Sequence, residues 1–416
     1  MRRDKQTCIE LFTGAGGLAL GVARAGFEHV ALVEWDHDAC ETLRANMGRV
    51  EDMKHWQLFE GDVRDFDFRP YADRVTLLAA GAPCQPFSLG GKHKGASDHR
   101  NMFPEVFRAV RELRPQAVLL ENVKGLLREA FAPYLEYILL QLSKPDLPPK
   151  PREDWRSHKL RLQRADGGGL RYSVAHQLVN CADFGVPQRR ERVFIVGFRS
   201  DLDISWRELP AAHSYEALLY AQWIDGSYWR EHGMKKPRTP DQLRSRLLSI
   251  DLMFPPSAKR WSTVRDALGG LPPPVDLKES PRVLNHVGNP GARAYPGHTG
   301  SPYDLPAKTL KAGDHGVPGG ENTLQSEDHS VRYFSVREAA RLQTFPDEYE
   351  FKGPWSECLR QLGNAVPVRM AQAMASAVKS GLRVAPGRKP WVSLPAEDDN
   401  ALDARELTGA QSAAFG

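Results

Sequence analysis

Across residues 7–198, short apolar runs alternate with helical segments, and this alternation limits the possible folds more than any other feature of the chain. Strands are predicted at residues 7–12, 30–33, 57–60, 75–80, 117–120 and 192–198. Helices are predicted at residues 18–25, 39–46 and 103–113. Strands that alternate with helices pair in parallel through βαβ units, so the sequence predicts an α/β fold with a doubly wound sheet.

The composition is that of an ordinary globular protein. Hydrophobic residues make up 41% and charged residues 26% of the 416 positions, a length that suits two domains. No apolar run is long enough to cross a membrane, and no secretory signal precedes the first strand. The five cysteines contain no C-x-x-C pair, which favours a reducing cytoplasm and predicts no metal site. A net charge of +4 allows nucleic-acid binding without requiring it.

Periodicity divides the chain into parts. Prolines and glycines crowd residues 200–332, which predicts a separate, loop-rich domain or a large insertion. Residues 143–169 are rich in Pro, Lys, Arg and Gly and are predicted to form an irregular surface insertion. Amphipathic helices return at 335–343 and 368–379. The predicted organisation is therefore an α/β domain at 1–199, the loop-rich part at 200–332, a completing segment at 333–385 and a disordered tail at 386–416.

A glycine-rich turn at residues 12–17 separates the first strand from its helix. Glycines let a ligand approach backbone N–H groups closely, although the same turn also suits a helix that merely packs on its strand. Glu34 and Asp62 follow the next two strands, and Trp35 is suited to stack on an adenine. Because ligands of such sheets bind at the carboxyl ends of strands, we expect an adenosine-containing cofactor. This step leaves NAD and S-adenosylmethionine both open.

Cys84 follows the predicted strand 75–80 and lies between two prolines, Pro83 and Pro86. A buried structural cysteine is the alternative interpretation. The prolines give the thiol a rigid mount, however, and the glycine-containing loop after it carries cations that favour a thiolate.

Polar groups lie at the ends of two other predicted strands: a carboxylate follows one strand, and two arginines lie at the start of the other. Glu121 comes directly after the strand 117–120, where it either faces the same pocket as Cys84 or caps a helix. Arg190 and Arg192 lead into the last strand of the series. Such an arginine cluster is either a solvated face or a set of guanidinium groups that bind carbonyl oxygens and phosphates.

Together these segments resemble the ordered motifs of the DNA cytosine-5 methyltransferase family, of the bacterial restriction-modification type. The matching positions are 12–17, Glu34, Asp62, 83–85, 121–123, Gln188-x-Arg190-x-Arg192, 337–343 and 361–367. The resemblance covers both ends of the chain and leaves out 200–332 and the tail. It implies a Rossmann-like, S-adenosylmethionine-dependent methyltransferase domain. Region 200–332 then occupies the place of a smaller, loop-rich target recognition domain.

The resemblance also implies a reaction. A methyl group passes from S-adenosylmethionine to carbon 5 of a cytosine that has flipped out of duplex DNA. The thiolate of Cys84 adds to carbon 6, while Glu121 supports protonation at ring nitrogen 3. Arg192 holds the cytosine carbonyl, with Arg190 as its supporting neighbour.

Binding residues are carried over position by position. The implied cofactor contacts are Phe12, Thr13, Gly14, Gly16, Gly17, Leu18, Glu34, Trp35, Asp62, Val63, Pro83, Met102, Asn364 and Val366. The predicted DNA contacts are Gln85, Ser88, Lys92, Arg100, Lys308, Thr309 and Leu310. Further candidates for groove contacts are His286, Arg293, His298 and His315. The recognition sequence itself is not predicted, because groove readout depends on geometry.

The expected partner is double-stranded DNA, bound by a monomer in the bacterial cytoplasm at the nucleoid. The enzyme then acts either beside a separate cognate restriction endonuclease or as an orphan methyltransferase. Alternatives are a transfer RNA cytosine-5 methyltransferase, an inactive relative that only binds DNA, and an NAD-linked oxidoreductase. The long region 200–332 favours duplex DNA, while the presence of Cys84, Glu121 and Arg192 favours an active enzyme.

Overall fold

A computed structural model describes residues 6–83, 101–165, 168–250, 256–276, 282–294, 299–312 and 322–383. Within these residues, seven strands form one sheet in the order β3-β2-β1-β4-β5-β7-β6. The strands are β1 (Thr7–Leu11), β2 (Glu28–Glu34), β3 (Leu58–Glu60), β4 (Leu77–Ala80), β5 (Ala117–Val123), β6 (Tyr172–Asn180) and β7 (Glu191–Arg199). The order turns outward in both directions from β1 and β4, which confirms the predicted doubly wound α/β fold.

One strand runs against the others. β7 is antiparallel to both β5 and β6, whereas the alternation with helices predicted parallel βαβ units. The connection between β6 and β7 is the short segment 181–190, and a parallel pair needs a longer crossover. β6 itself was not predicted, because its burial alternates weakly along an edge position. The series of strands therefore ends in an antiparallel pair.

Helices cover both faces of this sheet and continue into the C-terminal part. The longer ones are α1 (Gly17–Arg24), α2 (His37–Met47), α3 (Phe103–Leu113), α4 (Ala132–Ser143) and α5 (Trp155–Arg164). Side chains alternate between the faces of a strand, so each face has its own core. Ile9 of β1 packs in the core with Phe103 and Ile138, while its neighbour Cys8 packs in the opposite one.

Residues 143–169 are more ordered than the sequence predicted, since α5 lies within them. Asp154 caps this helix by accepting hydrogen bonds from the backbone N–H groups of Arg156 at 2.9 Å and Ser157 at 3.3 Å. The helix docks on α4 through a contact of 3.0 Å between the Tyr137 hydroxyl and His158 Nδ1. Few apolar residues of α5 face the core, and its contact with α4 is a polar pair. The hydrophobic pattern therefore did not predict this helix.

The region 200–332 consists of short elements joined by loops. They are β8 (His213–Ser214), α6 (Tyr215–Leu219), α7 (Ser227–Glu231), α8 (Arg244–Leu247), β9 (Lys259–Arg260), α9 (Val264–Leu268), β10 (Ser301–Pro302), β11 (Thr323–Gln325) and β12 (Val331–Tyr333). A small core of its own contains Leu218, Tyr228 and Trp229. Val264 and Leu310 instead join the larger core of the C-terminal helices. The two halves of the region are thus packed differently.

The C-terminal helices are α10 (Val336–Leu342), α11 (Trp355–Asn364) and α12 (Val368–Arg383). α12 packs closely against α1. A Cβ added to Gly21 of α1 would lie only 2.4 Å from the Cβ of Ala371, so the absence of a side chain at Gly21 allows this approach. Among the described residues, no helix combines the length and the apolar character that a membrane span needs.

Gly17 provides a direct test of this packing. A Cβ added at Gly17 would lie 2.3 Å from the backbone oxygen of Val366, so Gly17→Ala forces α1 and the segment before α12 apart. We expect a loss of about 1–3 kcal/mol in the free energy of unfolding, measured by urea denaturation. Gly48→Ala is the matched control, since nothing lies within 4 Å of its added Cβ. Equal stability of the two variants would contradict this packing.

Glu10 on β1 and His29 on β2 form a fully buried pair, with His29 Nε2 3.5 Å from Glu10 Oε2. Burial raises the pKa of Glu10 well above 4.5 and lowers the pKa of His29 from 6.5 to about 3. Both groups are therefore neutral in the folded protein. Between pH 4.5 and 6.5 the unfolded chain carries an ionised Glu10 and a protonated His29. The folded and the unfolded protein then each carry one proton on this pair. The pair therefore makes no pH-dependent contribution to the free energy of unfolding in this range.

Substitution of either residue alone should make the free energy of unfolding depend on pH, with opposite slopes in the two variants. In Glu10→Gln, the free energy of unfolding should fall as pH drops below 6.5, because only unfolded His29 takes up a proton. In His29→Gln, it should fall as pH rises above 4.5, because only unfolded Glu10 releases one. Each slope should differ from that of the unmodified chain by about 1.4 kcal/mol per pH unit in urea denaturation. Slope changes of the same sign in both variants, each measured against the unmodified chain, would contradict a neutral pair.

Candidate active site

The turn after β1, residues 12–17, has an unusual backbone at the carboxyl end of the strand. Phe12, Gly14 and Gly16 have positive φ angles of 57°, 55° and 83°. For Phe12 this conformation costs of order 1–3 kcal/mol, a strain that clusters at functional sites. The N–H of Gly16 donates to the carbonyl of Thr13 at 3.0 Å and closes the turn. The side chain of Leu18 is buried in the core, so only its backbone is available to a ligand.

Glu34, at the end of β2, connects this turn to the next loop. Its Oε2 accepts a hydrogen bond from the N–H of Gly14 at 2.6 Å. Its Oε1 accepts from the N–H groups of Trp35 at 2.9 Å and Asp36 at 2.8 Å. Burial raises the pKa of Glu34, while these backbone donors oppose the increase. A carboxylate has about four acceptor positions, so these three donors leave about one position for a ligand hydroxyl.

The other predicted cofactor residues lie in different surroundings. The Trp35 side chain is 75% exposed, so its ring is available for stacking. Asp62 follows β3 and accepts from the N–H of Arg64 at 2.9 Å. Val63 is buried, Met102 immediately precedes α3, and Asn364 is exposed at the end of α11. Val366 reaches the glycine turn through its backbone oxygen at Gly17, so the last matching segment does return to the first.

Glu121 and Arg192 form an ion pair between adjacent strands. Arg192 Nε lies 2.8 Å from Glu121 Oε1, and both side chains are largely buried. The sequence predicted that β5 ends before Glu121, but its pairing with β7 continues through Val123 opposite Arg192. Burial raises the pKa of Glu121, and the charge of Arg192 opposes this effect. The pair combines a carboxyl that holds its proton more strongly than usual with a fixed cation.

The segment that leads to Cys84 passes beside Glu121. The N–H of Gly81 donates to the carbonyl of Leu11 at 3.3 Å, and the Asn122 side chain donates to the carbonyl of Ala82 at 3.1 Å. A Cβ on Gly81 would lie 4.0 Å from Glu121 Oε2. Pro83 is half-buried at the end of this segment. The predicted residues Cys84, Gln85, Ser88, Lys92 and Arg100 lie outside the described residues.

Arg190 is fully buried and connects the matching segment 361–367 with the segment 308–310. Its Nη1 donates to the carbonyl of Leu310 at 3.1 Å. Its Nη2 donates to the carbonyls of Gly363 at 2.6 Å and Ala365 at 3.0 Å. These contacts go to backbone oxygens and leave Arg192 as the arginine that pairs with Glu121. Arg190 therefore has the geometry of a positioning residue; the resemblance implied a supporting neighbour of Arg192.

The segment 308–310 lies against the arginine motif. Thr309 Oγ1 donates to the carbonyl of Arg189 at 2.7 Å. Leu310 is buried, and its N–H donates to Gln188 Oε1 at 3.0 Å. Lys308 is half-buried, with its N–H on Ser301 Oγ at 3.1 Å. The side chain of Leu310 thus faces the core, and the outer edge of this segment is formed by Lys308 and Thr309.

Of the four other candidates for groove contacts, one is buried, one is exposed and two lie outside the described residues. His286 is buried, with Nδ1 2.8 Å from Ser335 Oγ and Nε2 2.7 Å from the carbonyl of Pro272. Both ring nitrogens are engaged within the protein, so His286 is a structural residue. Arg293 is exposed. His298 and His315 lie outside the described residues.

The model of the C-5 cytosine-specific DNA methylase family matches residues 6–146 and 162–380, which is most of the chain. The chain belongs to this family. The predicted family, the methyltransferase fold class and the activity of a DNA cytosine-5 methyltransferase are therefore confirmed. The matched residues contain the glycine turn, the Glu121–Arg192 pair and the C-terminal helices.

Relatives of this DNA methylase include bacterial Type II methyltransferases. It is 34% identical to the Type II methyltransferase M.Eco47II of Escherichia coli, a match that covers 89% of this chain and 78% of the relative. It is 31% identical to M.NgoMIV of Neisseria gonorrhoeae, over 91% of this chain and 98% of the relative. These alignments include most of the region 200–332 as well as the core.

Solved structures support the fold. The Dnmt2 methyltransferase of S. pombe is 15% identical, with a TM-score of 0.53 over 92% of this chain and all of that one. The methyltransferase EhMeth of Entamoeba histolytica is 13% identical, with a TM-score of 0.54 over 91% of this chain and 98% of that one. At such identities the likeness concerns the architecture of this DNA methylase.

Two buried amides of the methylase were not singled out by sequence reasoning. Gln188 Nε2 donates to Gln343 Oε1 at 3.1 Å, and Gln343 Nε2 in turn donates to the carbonyls of Leu362 and of Ala365. The amides connect the arginine motif, α10 and α11. Their membership in matching segments was visible in the sequence, but their mutual contact was not. A clearer sequence signal was Ser335-x-x-Glu338, which forms a capping box at the start of α10.

Proposed function

We propose that this DNA methylase transfers a methyl group from S-adenosylmethionine to carbon 5 of a cytosine flipped out of a specific duplex sequence. The reaction passes through a bond between Cys84 and cytosine carbon 6. The observation that carries this proposal is the buried Glu121–Arg192 pair, 2.8 Å apart, beside the segment that leads to Cys84. A carboxyl with a raised pKa, next to a cation, suits protonation of a ring nitrogen and binding of a carbonyl.

The cofactor end of the site fits S-adenosylmethionine. We assign the ribose hydroxyls to Glu34, the adenine to Trp35 and Asp62–Val63, and the amino-acid portion to the backbone of the glycine turn. The free acceptor capacity of Glu34 and the exposed ring of Trp35 support this assignment. Pro83, Met102, Asn364 and Val366 complete the proposed set. S-adenosylmethionine, when bound, supplies the methyl group that carbon 5 accepts.

The residues of this chain then carry the ring chemistry. Cys84 forms a bond from sulfur to carbon 6, and the electrons of the ring double bond move toward carbon 5. Glu121 donates a proton to ring nitrogen 3, while Arg192 holds both Glu121 and the cytosine carbonyl. After methylation, a base takes the carbon 5 proton, and the electrons of that bond restore the ring double bond and expel Cys84 as the thiolate. Ring nitrogen 3 returns its proton to Glu121. Splitting one difficult substitution in this way lowers each barrier.

The remaining DNA contacts belong to two parts of the chain. We retain Gln85, Ser88, Lys92 and Arg100, which follow Cys84 in the sequence, as DNA contacts. For the region 200–332 we retain the role of a target recognition domain between the catalytic parts 1–199 and 333–385. Within it, Lys308 and Thr309 present polar groups to DNA, while buried Leu310 positions them.

The Type II relatives favour a modification enzyme that acts on DNA. A monomer that works beside a separate endonuclease, or as an orphan enzyme, is consistent with this. Transfer RNA methylation is the second candidate, and it predicts no requirement for a long recognition region.

The deciding experiment uses tritiated S-adenosylmethionine with mixed-sequence duplex DNA and with transfer RNA, followed by nucleoside analysis. We expect label in 5-methylcytosine from the duplex alone. Label in transfer RNA alone would reject DNA as the substrate, and label in another nucleoside would reject the chemistry.

A further inference from the structure

Arg360 on α11 makes an ion pair with Asp36, although the two residues are 324 positions apart. Its Nη2 donates to Asp36 Oδ2 at 2.8 Å. Its Nε and Nη2 also donate to the two carboxylate oxygens of Glu357, each at 2.7 Å. The guanidinium is thus fixed on its own helix by a bidentate contact and reaches Asp36 with the remaining hydrogen-bonding capacity.

Asp36 closes the acidic loop, residues 34–36, which contains Glu34 and Trp35. Its backbone N–H donates to Glu34 Oε1 at 2.8 Å. Its Oδ1 accepts from the N–H of Ala39 at 3.0 Å and caps α2. One carboxylate oxygen therefore holds the helix start and the other holds Arg360. Through Asp36, the position of α11 determines where the acidic loop lies.

The local charges make Arg360 necessary for this arrangement. The carboxylates of Asp36, Asp38 and Glu357 lie within 4.8 Å of one another. The guanidinium of Arg360 contacts two of the three. Without it, these like charges repel at short distance, and the repulsion pushes Asp36 away from α11.

α2 is held to the C-terminal part by other contacts as well. Thr42 Oγ1 donates to Gln361 Oε1 at 2.8 Å, and this bond is buried. Asn46 Nδ2 donates to the carbonyl of Glu350 at 2.7 Å. These bonds anchor the middle and the end of α2, whereas Arg360 anchors its start. Loss of Arg360 should therefore displace the acidic loop without detaching the helix.

We propose that Arg360 is a positioning residue for cofactor binding, because its ion pair with Asp36 holds Glu34 and Trp35 in the geometry that receives adenosine. This inference rests on the proposed cofactor site. In this proposal, α11 fixes the position of the acidic loop, while the acidic loop and the glycine turn contact the cofactor.

Calorimetric titration of the full chain with S-adenosylhomocysteine tests the proposal through binding alone. Arg360→Gln should raise Kd about tenfold, equivalent to about 1.4 kcal/mol. Asp36→Asn keeps an oxygen for the α2 cap and should raise Kd by a similar factor. The double variant should bind no more weakly than the weaker single variant, because both changes remove the same contact. Arg360→Lys should recover part of the affinity.

Arg161→Gln is the matched control, since Arg161 makes a bidentate contact with Glu153 on α5, away from the acidic loop. Its Kd should equal that of the unmodified chain. In steady-state assays, Arg360→Gln should raise KM for S-adenosylmethionine by the same factor while kcat changes less than twofold. A merely structural role would lower the midpoint of thermal unfolding and leave Kd of the folded protein unchanged.

The outcomes separate this inference from the proposed function. If Arg360→Gln and Asp36→Asn bind S-adenosylhomocysteine as tightly as the unmodified chain, the positioning role is rejected while the cofactor assignment stands. Additive losses in the double variant would also reject it. If the unmodified chain itself fails to bind S-adenosylhomocysteine, the proposed function is rejected first.

Discussion

Cys84→Ala is expected to reduce methyl transfer to duplex DNA by a factor on the order of 10⁴ or more, the scale on which removal of a covalent nucleophile acts. Carbon 5 of cytosine is a poor nucleophile until a group adds at carbon 6. Alanine carries no nucleophile, so the loss should appear in kcat with little change in DNA affinity. Single-turnover transfer from tritiated S-adenosylmethionine measures it.

Cys181→Ala is the control for this prediction. Cys181 is buried near the arginine motif, and burial raises the pKa of its thiol to about 12, so it stays protonated and inert. Its activity should remain within a few-fold of the unmodified chain. A duplex that contains 5-fluorocytosine adds a direct readout, because the missing carbon 5 proton prevents release of the enzyme. A denaturation-resistant adduct should form with the Cys181→Ala protein and not with Cys84→Ala. Substantial turnover by Cys84→Ala would reject the covalent route.

Glu121→Gln should lower kcat by a factor of about 10²–10⁴, the usual contribution of a positioned general acid. The amide keeps the size of the side chain and its hydrogen bond to Arg192, but it cannot donate a proton to ring nitrogen 3. Burial raises the pKa of Glu121, which keeps the acid form present to higher pH. Because this acid form is required, activity should fall as pH rises through that pKa, and the variant should lose this fall.

Asp201→Asn is the matched control, because Asp201 pairs with Arg199 at the opposite end of β7 from Arg192. It should leave both kcat and the pH profile unchanged. If Glu121→Gln retained the full rate and the same high-pH decline, Glu121 would not be the acid, although Cys84 would still be the nucleophile.

Local patterns in the sequence predicted the elements whose buried positions follow directly from the spacing of their apolar residues. α3 was predicted at 103–113 and has these limits, because its apolar residues repeat at helical spacing and Leu113 is followed by Arg114 in a left-handed conformation. β5 was predicted too short. Glu121 and Asn122 end the apolar run, but the backbone pairing with β7 continues past them. Polar side chains inside a strand thus conceal where the strand ends.

Long-range contacts were beyond prediction for a physical reason. The order of the motifs predicted the chemistry, since each residue type matches one step of the reaction. The roles of Arg190 and Arg360 depend instead on backbone carbonyls and carboxylates that are distant in sequence. Nothing in the local pattern distinguishes Arg190, which holds two segments together, from Arg192, which pairs with Glu121. Only the three-dimensional arrangement separates them.

Bisulfite sequencing of DNA from cells that express the full chain shows directly whether this protein methylates carbon 5 of cytosine. We expect protected cytosines at one recurrent short sequence, which would also give the recognition site. Cells that express folded Cys84→Ala should show no protection at the same positions. Complete conversion of every cytosine in cells that contain the folded, unmodified protein would contradict the claim that this chain methylates carbon 5 of cytosine in DNA.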